Sequence, residues 1–428
     1  MDERNRIRLE QFRQLRKEVR GSSEYLIVGI DVAKDEHHAF FETATGKMLF
    51  RRLIFGNTMA GFEKLLEYAE TVKAKHALKK VVFGLEPTAN YHKPLAEYLI
   101  KCGHNIVLVS GVAARRNRES LDGRWDKHDD KDAANIADLI SQGKCLYYDY
   151  APIALRDLRD LLSLKKRLKK QEQGTKTRIR NHLLAQYFPE FDKYFEKGDA
   201  VSLAVVKWCL KPSKIWDMEF EEFVRMVAPR VRRANQMKML RDIWDLAIES
   251  IGCEAGEELY FGARFMIEDL EQIRGSIKKV DEHIEEVCVG FPEYNYLRSI
   301  PGFGPDVASK VMAAIGDPFR FDNGRQVLKL AGFDLNAARS GKTSDRAVPV
   351  ISKRGKASLR YALYQAALIA SVKNKHFLVY FANKLSGRER EKGIKTKTRV
   401  KLAAKMLIIA WTLMKKREPF DLDHLNLN

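Results

Sequence analysis

Residues 25–32, YLIVGIDV, form an apolar run broken only by Gly29 and Asp31, the pattern of a buried strand. HHAFFET and KMLFRRLIF follow, separated by a turn at 44–46, and predict two more strands in a meander. Beyond them the periodicity alternates. A helix is expected at 59–74, the strand VVFGLE at 81–86, a helix near 93–102, the strand NIVLVS at 105–110 and a helix at 131–141. A meander followed by alternation predicts an α/β domain with a mixed sheet. Ahead of it, Leu9, Phe12, Leu15 and Val19 are spaced as a short amphipathic helix, and the mixture of charges around them does not suit a signal peptide.

The pattern changes from 154 to about 186, a charged helix with Leu155, Leu158, Leu161, Leu164 and Leu168 along one side. Met266, Leu270, Ile273, Ile277, Val280, Ile284 and Val287 then alternate steps of four and three, the a/d seam of a coiled coil. Such a seam fits a helical hairpin closed within one chain and a dimer seam equally well. Between these helices, 189–260 reads as a small helical insert holding Trp208, Trp216 and Trp244. The expected division is therefore 1–150, 151–290 and 291–428, an α/β domain, a helical coiled-coil middle and a helical C-terminal domain. The apolar run 406–414 is about half of the roughly 20 residues that a membrane span needs.

A length of 428 residues suits two or three domains. Charge sharpens this picture. The net +19 calls for a polyanionic partner, nucleic acid first and an anionic membrane surface second. It is unevenly spread, because residues 351–420 hold 18 Lys or Arg against Glu389, Glu391 and Glu418. Five cysteines, scattered and odd in number, form no CxxC pair for zinc or redox chemistry and suit a reducing cytoplasm.

Three constellations carry candidate chemistry. Asp31 interrupts the first strand, Glu86 ends the fourth, and Asp129 and Asp132 stand three apart at the entry to a helix. Where the first and fourth strands are neighbours, these carboxylates converge, and oxygen-only ligands select Mg²⁺ or Mn²⁺ for phosphoryl transfer. Singly, Asp129 also serves as a helix N-cap and Glu86 as a strand end, whereas a lone carboxylate inside an apolar strand is costly. The second constellation is LRSIPGFGPDVASKVMAAIGD at 297–317. Gly302 and Gly304 there permit a helix-hairpin-helix turn whose freed N–H groups hold phosphate, or a plain helical hairpin. In the third, at 331–360, Ser340 and Gly341 lie among Arg339, Lys342, Arg346, Lys353, Arg354 and Arg360. A serine nucleophile needs such cations, yet a loop Ser before Gly is ordinarily a turn residue.

Taken together, Asp31 in GIDVAKD, Glu86 in GLEPTANYHKPLAEYL, and Asp129 with Asp132 in KHDDKDAANIADL resemble the DEDD tetrad of the RuvC-like domain in transposases of insertion-sequence family one-hundred-and-ten. That family includes Piv-type DNA invertases and bridge-RNA-guided recombinases. IPGFG, then GF…SG…ISKRGKASLR, then KLAAKMLIIAWTLMKK are similar to its second catalytic domain. The resemblance covers about 25–150 and 291–418. It implies an RNase H-like N-terminal fold, Mg²⁺ on the tetrad, and Ser340 attacking DNA to form a covalent phosphoserine intermediate. It also implies donor and target DNA, a noncoding bridge RNA as guide, a homodimer or dimer of dimers sharing composite sites, and a cytoplasmic, nucleoid-associated protein. His128 stands where relatives commonly have Thr, Phe333 where Leu is usual, and one Ser precedes Gly341 where two are frequent, so Ser344 is the second candidate nucleophile. The rivals are a RuvC-type nuclease using activated water, a protein-only invertase, a nucleic-acid-binding protein without activity, and an actin-like ATPase, for which 1–150 lacks a second GxG loop.

Overall fold

A computed structural model describes residues 3–87, 89–121, 129–196, 198–230, 233–336 and 350–425; the side chains of residues 3, 4, 120, 121, 129, 130, 336 and 424 also lie outside the description. It divides the chain into two compact units, Met1–Ala151 and Pro152–Asn428.

In the first unit, α1 (Glu3–Glu18) precedes β1 (Tyr25–Asp31), β2 (Glu36–Thr43), β3 (Met48–Gly56), α2 (Met59–Lys75), β4 (Lys80–Leu85), α3 (His92–Lys101), β5 (Asn105–Leu108), α4 (Gly111–Leu121), α5 (Asp129–Ser141) and β6 (Leu146–Tyr147). The strands make one sheet in the order β3-β2-β1-β4-β5-β6. The meander is antiparallel, β1, β4 and β5 run parallel, and β6 closes the edge antiparallel, so the sheet is mixed as its pattern predicts. Two apolar layers flank it. Leu26, Val28, Ile30, Phe83 and Leu85 pack with α2 and α3 on one face, and Tyr25, Ile27 and Val82 pack with α1, α4 and α5 on the other. Burying both faces explains why the parallel strands read as unbroken apolar runs rather than alternating ones.

The second unit opens with α6 (Ile153–Arg178), which continues through one π turn at Ile179–Leu184. It pairs with α7 (Glu258–Val289). Lys165 meets Asp281, Glu172 meets Arg274 and Thr175 meets Asp269, so the two run antiparallel within the chain. Along α7 the a positions Leu270, Ile277 and Ile284 are buried, while Met266, Ile273, Val280 and Val287 are half-buried. Along this stretch α7 therefore packs against a helix of its own chain. Short helices between Ala185 and Ile248 form the insert. Phe188, Phe191, Phe195, Val206 and Phe223 share a core there with Ile267 and Leu270 of α7.

The remainder comprises α8 (Pro292–Arg298), α9 (Pro305–Ile315), α10 (Gly324–Ala331), β7 (Leu335–Asn336), β8 (Val350–Ile351), α11 (Ala357–Lys373), α12 (Lys375–Leu385) and α13 (Ile394–Lys416). α9 packs on α6, α7 and α11, so the residues expected to form separate middle and C-terminal domains lie in one unit. No helix among the described residues is long and apolar enough to cross a membrane.

Candidate functional site

The carboxylates are placed by strand register. On β1 and β4, Gly29 pairs with Gly84 and Ile30 with Leu85. Asp31 and Glu86 stand one step further along, side by side at the C-terminal ends of neighbouring parallel strands. Side chains alternate between faces, so both share the face of Ile27 and Val82, beneath α5. On the other side of Asp31, β2 places His38 in register with it. The row His38, Asp31, Glu86 thus crosses three strands.

Two glycines let α5 approach. A Cβ on Gly29 would strike the Ala133 carbonyl oxygen and lie 2.6 Å from the Ala137 nitrogen; one on Gly84 would strike Ile140. With hydrogen in those places, the α5 backbone rests directly on β1 and carries Asp132 to the same face. Asp132 is 4% exposed, and its Oδ1 lies 2.5 Å from Arg118 Nη2. Arg118 comes from α4, which is locked to α5: Asn117 Nδ2 donates to Asn135 Oδ1 at 2.8 Å and to Asp138 Oδ2 at 2.6 Å, and Asn135 Nδ2 donates to the Ala114 carbonyl oxygen at 2.7 Å.

Glu86 is half-buried against the start of α4. A Cβ on Gly111 would lie 2.8 Å from its Oε1, so the glycine leaves a cradle for the carboxylate at a helix N-terminus, where negative charge is favoured. Deeper on the same face, Glu42 is 6% exposed. Burial, followed by the nearby Asp138 charge, pushes its carboxyl up to about 8. Glu42 is therefore a neutral acid at physiological pH, unlike what a charged residue in a strand suggests.

These positions bear on the expected ion. Asp31, Glu86 and Asp132 share one face, and their oxygen-only chemistry and the Gly111 cradle fit a hard divalent cation. Among the described residues, however, no three His, Cys, Asp or Glu side chains stand close enough together to hold one ion. Arg118 occupies Asp132, and the Asp129 side chain lies outside the description although α5 begins at that residue.

The serine constellation divides differently. Ser340, Arg339, Gly341 and Lys342, and with them Ser344 and Arg346, lie outside the described residues. Their flanks are held: Asn336 pairs with Val350, and Ser352 Oγ donates to Asp334 Oδ1 at 2.6 Å. Lys353 and Arg354 are exposed. Arg360 Nη1 donates to the Ala331 carbonyl oxygen at 2.9 Å and to that of Lys353 at 3.4 Å. It closes the turn after α10. Gly302, with φ of 89°, also serves packing, since a Cβ there would lie 2.5 Å from the Ala366 carbonyl oxygen of α11. Gly304 is exposed at the N-cap of α9.

Sequence reasoning missed His38, Arg118 and Gly111. His38 was legible as an HH pair facing GID across a meander; α4, which carries the other two, has too weak an apolar period to stand out.

Comparison with known proteins bears on the same residues. A DEDD-type IS110 transposase profile matches residues 28–189, which contain all four carboxylates. A second profile, described as the transposase IS116/IS110/IS902 family, matches 294–382, which contain Ser340. The chain is 24% identical over 329 residues to an insertion element IS110 43.6 kDa protein of Streptomyces coelicolor, covering 74% of this chain and 77% of the relative. It is 22% identical to an insertion element IS116 44.8 kDa protein of Streptomyces clavuligerus, covering 92% and 95%. A pilin gene-inverting protein of Moraxella lacunata is 31% identical over 153 residues, 34% of this chain and 45% of the relative. Two profiles in this order, over a mixed sheet with acids at the ends of β1 and β4, mean that the chain belongs to the IS110 family of transposases: it is a DNA transposase or recombinase whose N-terminal unit is an RNase H-like DEDD domain.

Proposed function

We propose that the chain cuts and rejoins DNA strands at a metal-dependent site formed by Asp31, Glu86, Asp129 and Asp132, with Ser340 as the nucleophile. The observation that carries the metal site is the shared face of Asp31 and Glu86 at adjacent strand ends, with Asp132 brought to it by α5 over Gly29. Mg²⁺ held there would neutralise charge building up on the reacting phosphate. Ser340 Oγ attacks phosphorus; the Oγ–P bond forms as the bond to one deoxyribose oxygen breaks, and the freed hydroxyl takes up a proton. Attack by a hydroxyl of the exchanged strand reverses these steps and releases the serine. Arg339 and Lys342, its neighbours in sequence, supply positive charge for the pentavalent phosphate.

The reading extends, on the family resemblance, to a bridge RNA that pairs with donor and target DNA and to a dimer or dimer of dimers. Likeness to a pilin gene-inverting protein favours inversion as a second outcome of the same chemistry.

Trapping tests the serine. Nicked element-end DNA incubated with the protein and Mg²⁺ should give a covalent adduct stable to denaturation, lost in Ser340→Ala and kept in Ser344→Ala. An adduct that survives Ser340→Ala removes Ser340 from the mechanism. Cleavage with no adduct in wild type favours the RuvC-type nuclease, in which water attacks.

A further inference from the structure

In the second unit, α6, α9 and the start of α11 enclose a groove of about 470 Å³. Six of its lining side chains are cations: Arg159, Lys165, Lys166 and Lys169 from α6, Lys310 from α9, and Lys356 ahead of α11. None of the residues lining it is acidic. Acids lie at its margin instead. Asp306 engages Lys165 at 2.5 Å and Lys310 at 2.6 Å, Asp281 engages Lys165 at 2.6 Å, and Glu172 engages Lys169 at 3.0 Å. These acids engage Lys165, Lys310 and Lys169, and Lys166 and Lys356 are exposed toward solvent.

The groove is built rather than merely charged. Leu162, Ala313 and Leu359 form an apolar floor, on which the lysine stems can lie with their ammonium groups raised. Arg159 is anchored, its Nε donating to the Ala313 carbonyl oxygen at 2.9 Å. At one end α11, a helix of 17 residues, begins with Lys356 at its N-cap and no side-chain cap, so its first-turn N–H groups and positive dipole end add to the field. From Arg159 to Lys169 the helix rises about 15 Å, the length of about four nucleotides of a B-form strand.

We propose that this groove binds the phosphodiester backbone of a nucleic-acid strand, as a contact separate from Ser340 and from Lys353 and Arg354. The proposal rests on the recombinase reading only in taking nucleic acid as the ligand. Recognition is chiefly of phosphate, because cations dominate the lining, with Ser163, Ser358 and an apolar floor beside them. DNA and guide RNA present the same group, and the test separates them.

The full-length protein is titrated into labelled single-stranded DNA, duplex DNA and single-stranded RNA, each of one arbitrary sequence, at several KCl concentrations. Lys166→Gln/Lys169→Gln/Lys356→Gln is compared with Lys193→Gln/Lys238→Gln/Lys279→Gln, which removes the same charge at exposed lysines elsewhere in the unit. The groove variant should lose about two to three from the slope of log Kd against log[KCl], since each phosphate contact contributes about 0.7 to 0.9. The control should lose less than one. The probe with the larger loss identifies the strand. As a second measurement, bound probe should shield Lys166 and Lys356 from amine acylation in wild type. Equal slopes for the two variants, or unshielded lysines, overturn the groove while leaving the recombinase reading intact. Failure of wild type to bind any probe would overturn both.

Discussion

Asp132 lies almost fully buried with a guanidinium against it, in a site where Asp31 and Glu86 share the same face. A buried carboxylate is costly without a cation beside it, and Arg118 stands beside Asp132 in that role. If Asp132 is a metal ligand, Arg118 and the ion compete for one oxygen. Arg118→Ala should then unfold earlier in EDTA by about 3 kcal/mol, the cost of stranding a buried charge, and should recover most of that with 10 mM Mg²⁺. Wild type should gain much less from the same addition. Thermal melts of both proteins with EDTA and with Mg²⁺ decide it: equal Mg²⁺ effects would mean that Asp132 is a structural ion-pair partner and no ligand. Glu42 illustrates the other solution to the same problem, since it carries its proton and needs no counter-charge.

At the scale of elements, the site depends on how closely α5 lies on the sheet. Gly29→Ala puts a methyl group into the Ala133 carbonyl and the Ala137 nitrogen, which are backbone and cannot turn aside. The helix must lift, at a cost of about 3 kcal/mol or more, and Asp132 leaves the carboxylates with it. Loss of DNA cleavage in Gly29→Ala, under conditions where circular dichroism shows the protein still folded, is the expected result; full activity would show that α5 does not set the site. Much of this arrangement could be read in the chain beforehand. The apolar runs of β1, β4 and β5 located the parallel core, and Asp31 stood out because nothing else in YLIVGID is charged. The structure adds what is non-local: the pairing that sets Asp31 beside Glu86 and His38, and the two in-register glycines that admit α5. Those relations join residues 29, 38, 84, 86 and 133 across the fold and leave no periodic trace in any one segment. The structural contact of Arg360 was hidden for the same reason. Its charge is visible in sequence, whereas the Ala331 carbonyl that holds it is 29 residues away.

Over the whole molecule the two units divide the work of meeting a polyanion. Met1–Ala151 holds 25 Lys or Arg against 22 Asp or Glu; Pro152–Asn428 holds 51 against 35. Of the net +19, only three charges belong to the unit that carries the DEDD carboxylates. On the proposed reading, a nearly neutral unit attracts phosphate poorly, so the first unit would need a divalent ion to bridge carboxylate and phosphate, and the second would supply the attraction that brings the strand in. This partition predicts distinct salt behaviour for the halves. Residues 152–428 expressed alone should retain most of the full chain's dependence of nucleic-acid affinity on KCl, with or without Mg²⁺, because counterion release follows the cations. Residues 1–151 alone should bind weakly in EDTA with a shallow slope, and tighten on adding Mg²⁺. Each half is first checked for a cooperative melt, which a compact unit with its own apolar core should show. A steep, Mg²⁺-independent slope from the first unit would show that its few cations are concentrated against the carboxylates, and that the metal is not what holds the strand there.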